Sequence, residues 1–391
     1  MIYDEYLRRY NFPTIDIDNK LFFIYLKKTI RLYLFWYNKI DNNVEALIIS
    51  HSVYHLGLPA RIAIYKNIKV YNIGMNYIYS LNKKKQLRLS GFQDYKKIYK
   101  KIKKKFNINI INFSKKEIIT KFEGKTDVTQ IEATSQENTF KKVHSNNHLI
   151  KNDNKNIVVA AHCFSDAVHA YGKNIFLDFY EWIKFLGEFS LKSKEKYNWL
   201  IKIHPAHYER NYKIWKKILY KYPSFVLLPK NCTHHEILKL SPEVVLTVYG
   251  SVGYEYPFFK IPVINACKYG PHIAFDFNYN PQNKREYLNL LENLHKLKEK
   301  SNFEKNIQDA SKFYFLRFLT NYEFMNNLNS LIKKLKHKYG TDYIYYSYIK
   351  KFNEKDYNKK IGYFEKFIKS GKFRIYADNT NKKLSKPILF Y

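Results

Sequence analysis

The feature that most constrains this chain is a rhythm between residues 157 and 264, where short apolar runs alternate with longer segments of helical period. The runs are Ile157–Ala161, Trp199–Ile203, Phe225–Leu228, Val244–Val248 and Pro262–Ile264. Runs so short and so continuously apolar suit strands buried on both faces, as in parallel sheets covered by helices. Helical patterns fall between them at about Phe176–Leu191, Asn211–Lys221 and Thr233–Leu240, and another follows Gly253. Strict alternation of this kind predicts a doubly wound parallel sheet. Ligands of such sheets bind where loops leave the carboxyl ends of the strands, so the residues at those ends are the functional candidates.

A shorter unit of the same kind precedes it. Val44–Ser50 reads as a strand, Leu58–Lys66 as a helix with Pro59 in its first turn, and Ile68–Ile73 as a second strand closed by Gly74. Together they make a βαβ unit with a right-handed crossover. A Lys-rich helix follows over Asp94–Phe106, and 123–156 is polar without apolar period. The expected organisation is therefore an N-terminal Rossmann-like domain over 1–122, a flexible linker over 123–156, a C-terminal Rossmann-like domain over 157–340, and a helical basic extension over 341–391. With no strand assignable before residue 44, the N-terminal domain is expected to be shortened, the chain starting inside what is usually the first helix.

The 68 Lys and Arg against 34 Asp and Glu leave a net charge of +34, which suits a polyanionic partner. Compositional drift in a chain rich in Lys, Asn, Ile and Tyr is the competing explanation. Lys far outnumbers Arg and no nucleic-acid motif is present, so no specific nucleic acid is expected. Three scattered cysteines, Cys163, Cys232 and Cys267, form no disulfide framework and fit the cytoplasm. The stretch Leu21–Ile40 is apolar but broken by Lys27, Lys28 and Arg31, too charged to span a membrane. It reads as an amphipathic basic helix packed on a core, with membrane-surface contact as the alternative.

Four polar groups sit at strand ends. Lys202, His204 and His207 close the strand Trp199–Ile203, with Pro205 stopping it; a lysine and histidine there suit a phosphate, with a histidine that merely caps a loop as the other reading. Gly250, Ser251, Gly253 and Glu255 form a turn leading from the strand Val244–Val248 into a helix, whose N-terminus would face a nucleotide phosphate while Glu255 meets ribose hydroxyls, with a plain tight turn as the other reading. His162, Asp166 and His169 follow the first strand and read as a polar loop for donor phosphate or acceptor, with a metal site and a purely structural loop as alternatives. His51, after the strand Val44–Ser50, is the candidate general base, with a satisfied structural histidine as the other reading. The only Asp-x-Asp, Asp16–Asp18, precedes every assignable strand, so neither a metal nor a cofactor is expected.

Taken in order, the βαβ unit, the linker, Lys202-x-His204-Pro205, the turn Gly250-Ser251-x-Gly253-x-Glu255 and Pro262-Val263-Ile264 resemble the GT-B glycosyltransferases of bacterial capsule and lipopolysaccharide biosynthesis. That resemblance implies two Rossmann-like domains with an interdomain cleft. It also implies a nucleotide-sugar donor, a CMP-sugar favoured, whose phosphate meets His204 and is cradled by Gly250, Ser251 and Gly253 while Glu255 holds the ribose. A glycan or lipid-linked acceptor and peripheral attachment to the anionic inner face of the membrane are implied with it. A CDP-glycerol-type transferase, a sugar-nucleotide epimerase and a non-catalytic basic protein that binds nucleic acid or membrane are the other readings.

Overall fold

The computed structural model describes residues 1–74, 77–81, 92, 94–106, 108–123, 152–205, 207–320, 350, 354–378 and 386–390. Most of the expected linker, the cluster Lys83–Lys85 and the helical patterns over 321–339 lie outside them. In chain order the strands are β1 (Ala46–Ile49), β2 (Lys69–Gly74), β3 (Tyr77–Ser80), β4 (Lys155–Ala160), β5 (Tyr197–Lys202), β6 (Phe225–Leu227), β7 (Val244–Thr247), β8 (Val263–Asn265), β9 (Ile375–Asp378) and β10 (Lys386–Phe390).

The chain forms two compact units that interleave in sequence. The first gathers described residues of Met1–Ile30, Asn109–Thr126 and Ala133–Phe313, the second mainly those of Arg31–Ile108 and Tyr314–Tyr391. The chain passes between the units at several places, among them after Ile30 and after Ile108. The reason is apolar: Tyr6, Leu7 and Tyr25 are buried in the same core as Ile157, Trp182, Trp199 and Leu246.

The first unit holds a five-stranded parallel sheet in the order β6-β5-β4-β7-β8. Each strand lies within two residues of its apolar run, and the α/β, doubly wound class follows. The helix Phe179–Ser193 begins three residues after its expected start because the Asp178 carboxylate accepts from the Glu181 amide at 2.8 Å. Thr233 and Glu236 form a reciprocal capping box that starts the helix His234–Lys239. Where one helix was expected to follow Gly253, there is a single turn, Val252–Glu255, and then a 3-10 turn Tyr256–Phe259. Pro257 lacks the donor that would prolong the helix, and Lys260 ends the turn at φ 58°.

In the second unit β1 pairs parallel with β2, as the βαβ reading requires, and β2 pairs antiparallel with β3. Three strands make this a reduced α/β sheet. The basic extension is helical over Glu354–Ser370 and then turns into the antiparallel pair β9–β10. Arg374, only 1 % exposed, lies over the rings of Tyr79 and Tyr376 at 5.1 and 4.6 Å, so a buried cation is held by aromatic faces.

Candidate functional site

The strand order reverses between β4 and β7, and the crevice outside their carboxyl ends is where doubly wound sheets take ligands. His162 occupies it. Its Nε2 lies 3.1 Å from Thr247 Oγ1 and accepts from the amides of Val248 and Tyr249, each at 3.3 Å. Amides only donate, so Nε2 carries no proton and the neutral ring keeps its hydrogen on Nδ1. The ring stacks on Phe179 at 4.5 Å and tilts against Tyr249 at 4.8 Å. Burial, helped by the nearby His204 and His272, pulls its pKa down to about 3.

His204 follows β5, half-buried, and burial again lowers its pKa, opposed by Asp166 and reinforced by His207 and Lys202. At neutral pH both are uncharged imidazoles, His162 after β4 at the crevice and His204 after the neighbouring β5, near enough for its charge to disfavour protonation of His162. Asp166 is exposed in the loop after β4, and the next residue, Ala167, takes a left-handed φ of 48°. The Ala167 carbonyl accepts from the Tyr249 hydroxyl at 2.8 Å, which ties this loop to the one after β7.

Other expected site residues are committed elsewhere. The Lys202 ammonium donates to the carbonyls of Cys232 at 2.6 Å and Lys230 at 3.3 Å, so it ties the loop after β6. His169 meets acceptors at both ring nitrogens: Asp4 Oδ1 at 2.6 Å and the Leu177 carbonyl at 2.9 Å. It clamps the helix Ile2–Tyr10 to the loop after β4. Glu255 is fully buried, and its two oxygens are taken by Lys121 Nζ at 2.5 Å and Ser251 Oγ at 3.2 Å. The Glu255 carboxylate is thus half of a buried ion pair. His51 is exposed beyond β1, in the second unit.

The glycine turn is bonded within itself. The amides of Gly253, Tyr254 and Glu255 are already bonded to the carbonyls of Gly250 and Ser251 at 2.9 to 3.2 Å. Gly250 donates its amide to Thr247 Oγ1, and a Cβ there would stand 2.8 Å from that oxygen. At Gly253 a Cβ would fall 2.2 Å from the His272 ring. His272 is buried, bonded to Asn265 Oδ1 at 3.2 Å, so it has little room to yield. Gly253→Ala is expected to destabilise the chain by about 1–3 kcal/mol through overpacking. Thermal melting checks this, and the double variant Gly253→Ala/His272→Ala should recover part of the loss.

Sequence reasoning missed Thr247, Tyr249, Phe179 and His272. Thr247 falls in the expected strand Val244–Val248 and Tyr249 directly after it, so both had a signal in their position at a strand end. Phe179 and His272 had none, since each reaches the site only through tertiary packing. Among the described residues no group of three His, Cys, Asp or Glu side chains is arranged to hold a metal ion, and no helix is long and apolar enough to cross a membrane.

No protein-family model matches the chain. No curated protein matches it. Solved structures with a loose likeness include UDP-GlcNAc 2-epimerase from Neisseria meningitidis bound to UDP-GlcNAc, at 12% identity and a TM-score of 0.35 over 80% of this chain and 85% of that one. The corresponding enzyme from Methanocaldococcus jannaschii, with UDP-GlcNAc and UDP, gives 11%, 0.34, 73% and 78%. S. aureus MnaA with UDP gives 13%, 0.32, 85% and 87%. Likeness at this level carries no functional argument.

Proposed function

We propose that the crevice between β4 and β7 binds a nucleotide sugar, and that the chain is a metal-independent GT-B-type glycosyltransferase extending a capsule or lipopolysaccharide glycan. One observation carries the reading: neutral His162 stands at the switch point of a doubly wound sheet, held by Thr247 and the amides after β7, with neutral His204 at the end of the next strand. His162 offers a fixed Nδ1–H donor. His204 is uncharged until an anion arrives, and a donor phosphate beside it would favour its protonated form. Binding of donor then brings a proton with it, and His204 becomes the partner of the phosphate that leaves. With Lys202 tied to carbonyls, this role falls on the histidine. His51 is the proposed base toward the acceptor, and a CMP-sugar is the favoured donor on the sequence resemblance. A lipid-linked acceptor would place the work at the inner face of the membrane.

A thermal-shift screen with CMP, CDP, UDP and GDP tests the reading. A nucleotide at about 100 times its Kd stabilises by roughly 2.7 kcal/mol. The expected result is a shift with CMP and sugar transfer to a glycan acceptor. No shift with any nucleotide overturns the proposal, a response confined to CDP moves it toward CDP-glycerol transfer, and UDP-sugar epimerisation without acceptor replaces transfer by epimerisation. In the active protein, His204→Ala should lose about 10²-fold or more in turnover while remaining folded. EDTA should leave turnover unchanged; loss restored by manganese or magnesium would bring a metal to the loop of His162, Asp166 and His169.

A further inference from the structure

The helix Lys20–Lys39 was expected to pack on a core, yet only Tyr25 and Thr29 of its 20 residues are buried. Seven of the seventeen large exposed hydrophobic residues belong to this one helix, which singles it out from the rest of the described surface. The exposed side chains fall in two adjacent rows at helical spacing. Phe23, Lys27, Ile30 and Leu34 make one row; Ile24, Lys28, Arg31 and Phe35 make the next, all exposed. Both rows have apolar ends; Lys28 and Arg31 stand between them in the second row, and Lys27 with Ile30 in the first. The apolar members are each half or more exposed: Phe23 at 58%, the others at 50 or 51%. No acidic residue occurs anywhere in the helix.

We infer that this face docks the chain on an anionic membrane surface, the helix lying in the plane of the headgroups. Apolar side chains at the ends of each row enter the acyl boundary, while the long stems of Lys27, Lys28 and Arg31 let their charges reach lipid phosphates. Charge selects this occupant. A second copy of a chain carrying +34 would bring like charge to a face with no carboxylate, whereas an anionic leaflet complements it. The three charges within the apolar stretch also keep the helix from spanning, so it lies on the membrane.

The inference deepens the reading above, because it supplies the contact that brings a transferase to a lipid-linked acceptor. Its test uses neither nucleotide nor acceptor, so the failure of one leaves the other standing. The full chain is sedimented with vesicles of phosphatidylcholine, with and without phosphatidylglycerol. Two variants are compared: Phe23→Ser/Leu34→Ser/Phe35→Ser and Lys27→Gln/Lys28→Gln/Arg31→Gln. All six positions are exposed, so both variants should keep the melting temperature of the parent. The expected result is salt-sensitive binding to the anionic vesicles. It should be weakened on the order of a hundredfold by loss of the three charges and at least about tenfold by loss of the three apolar groups. Unchanged binding by either variant overturns the inference. So does a dimer in solution that the serine variant makes monomeric while no vesicle binding is seen, which would assign the face to a second copy.

Discussion

Lys121→Met is expected to lower the stability of the chain by about 3–5 kcal/mol, although the new side chain fills similar space and remains apolar. Lys121 is 5% exposed and Glu255 fully buried, and the ammonium lies 2.5 Å from Glu255 Oε1. Breaking such a pair from one side strands the other charge where water does not reach it, and the cost is the desolvation of an unpartnered carboxylate. Ser251 donates to the second oxygen but brings no charge. Removing both charges, as Lys121→Met/Glu255→Gln, should restore most of the loss, since the attraction within a buried pair only roughly offsets the burial of its two ions. Urea unfolding of the two variants and the parent measures this. A ribose-holding Glu255 would behave otherwise: Glu255→Gln alone would cost nucleotide affinity, and Lys121→Met would leave the urea midpoint where it was.

Acid should unfold this protein early. His162 and His234 both have their pKa pulled down to about 3 by burial, the second also bonded to the Tyr256 hydroxyl at 2.9 Å. Unfolded, each titrates near 6.5. Between those values the unfolded chain binds protons that the folded one refuses, so stability is full above about pH 6.5 and is lost as pH falls toward 3. Each histidine contributes a slope of at most about 1.4 kcal/mol per pH unit, and the pair should give about 2 kcal/mol per unit between roughly pH 6 and 4. Urea midpoints at successive pH values check the slope. His234→Asn, which keeps a polar partner for Tyr256, should halve it; an undiminished slope would place the sensitivity in other groups.

The sheet of the first unit was legible because its inner strands are buried on both faces, which forces a continuous apolar run at each of them. Helix starts were legible where a cap is local, as at Thr233 with Glu236 three residues on. The carboxyl edge could be read too, since a strand end is a position in sequence. What each side chain does there could not. Glu255 meets Lys121 across 134 positions, and His169 meets Asp4 across 165. Neither pairing leaves a periodicity. Lys202 looked like a phosphate ligand because a lysine beside a histidine has that chemistry, but its destination depends on a loop that ends near Cys232. The helix at Lys20–Lys39 was readable as basic and apolar together, yet not which face stays outside, because that depends on the element it rests on.

The interleaving of the two units has a consequence for synthesis. Tyr6, Leu7 and Tyr25 belong to a core whose other walls include Leu246 and Ile264. A ribosome adding about 5–20 residues per second leaves those side chains without their partners for on the order of ten seconds or more. The N-terminal segment cannot close this core until the strands over residues 155–265 have left the ribosome, so its apolar side chains stay exposed in the meantime. A fragment beginning near residue 152 would lack one wall of the core, however intact its strands.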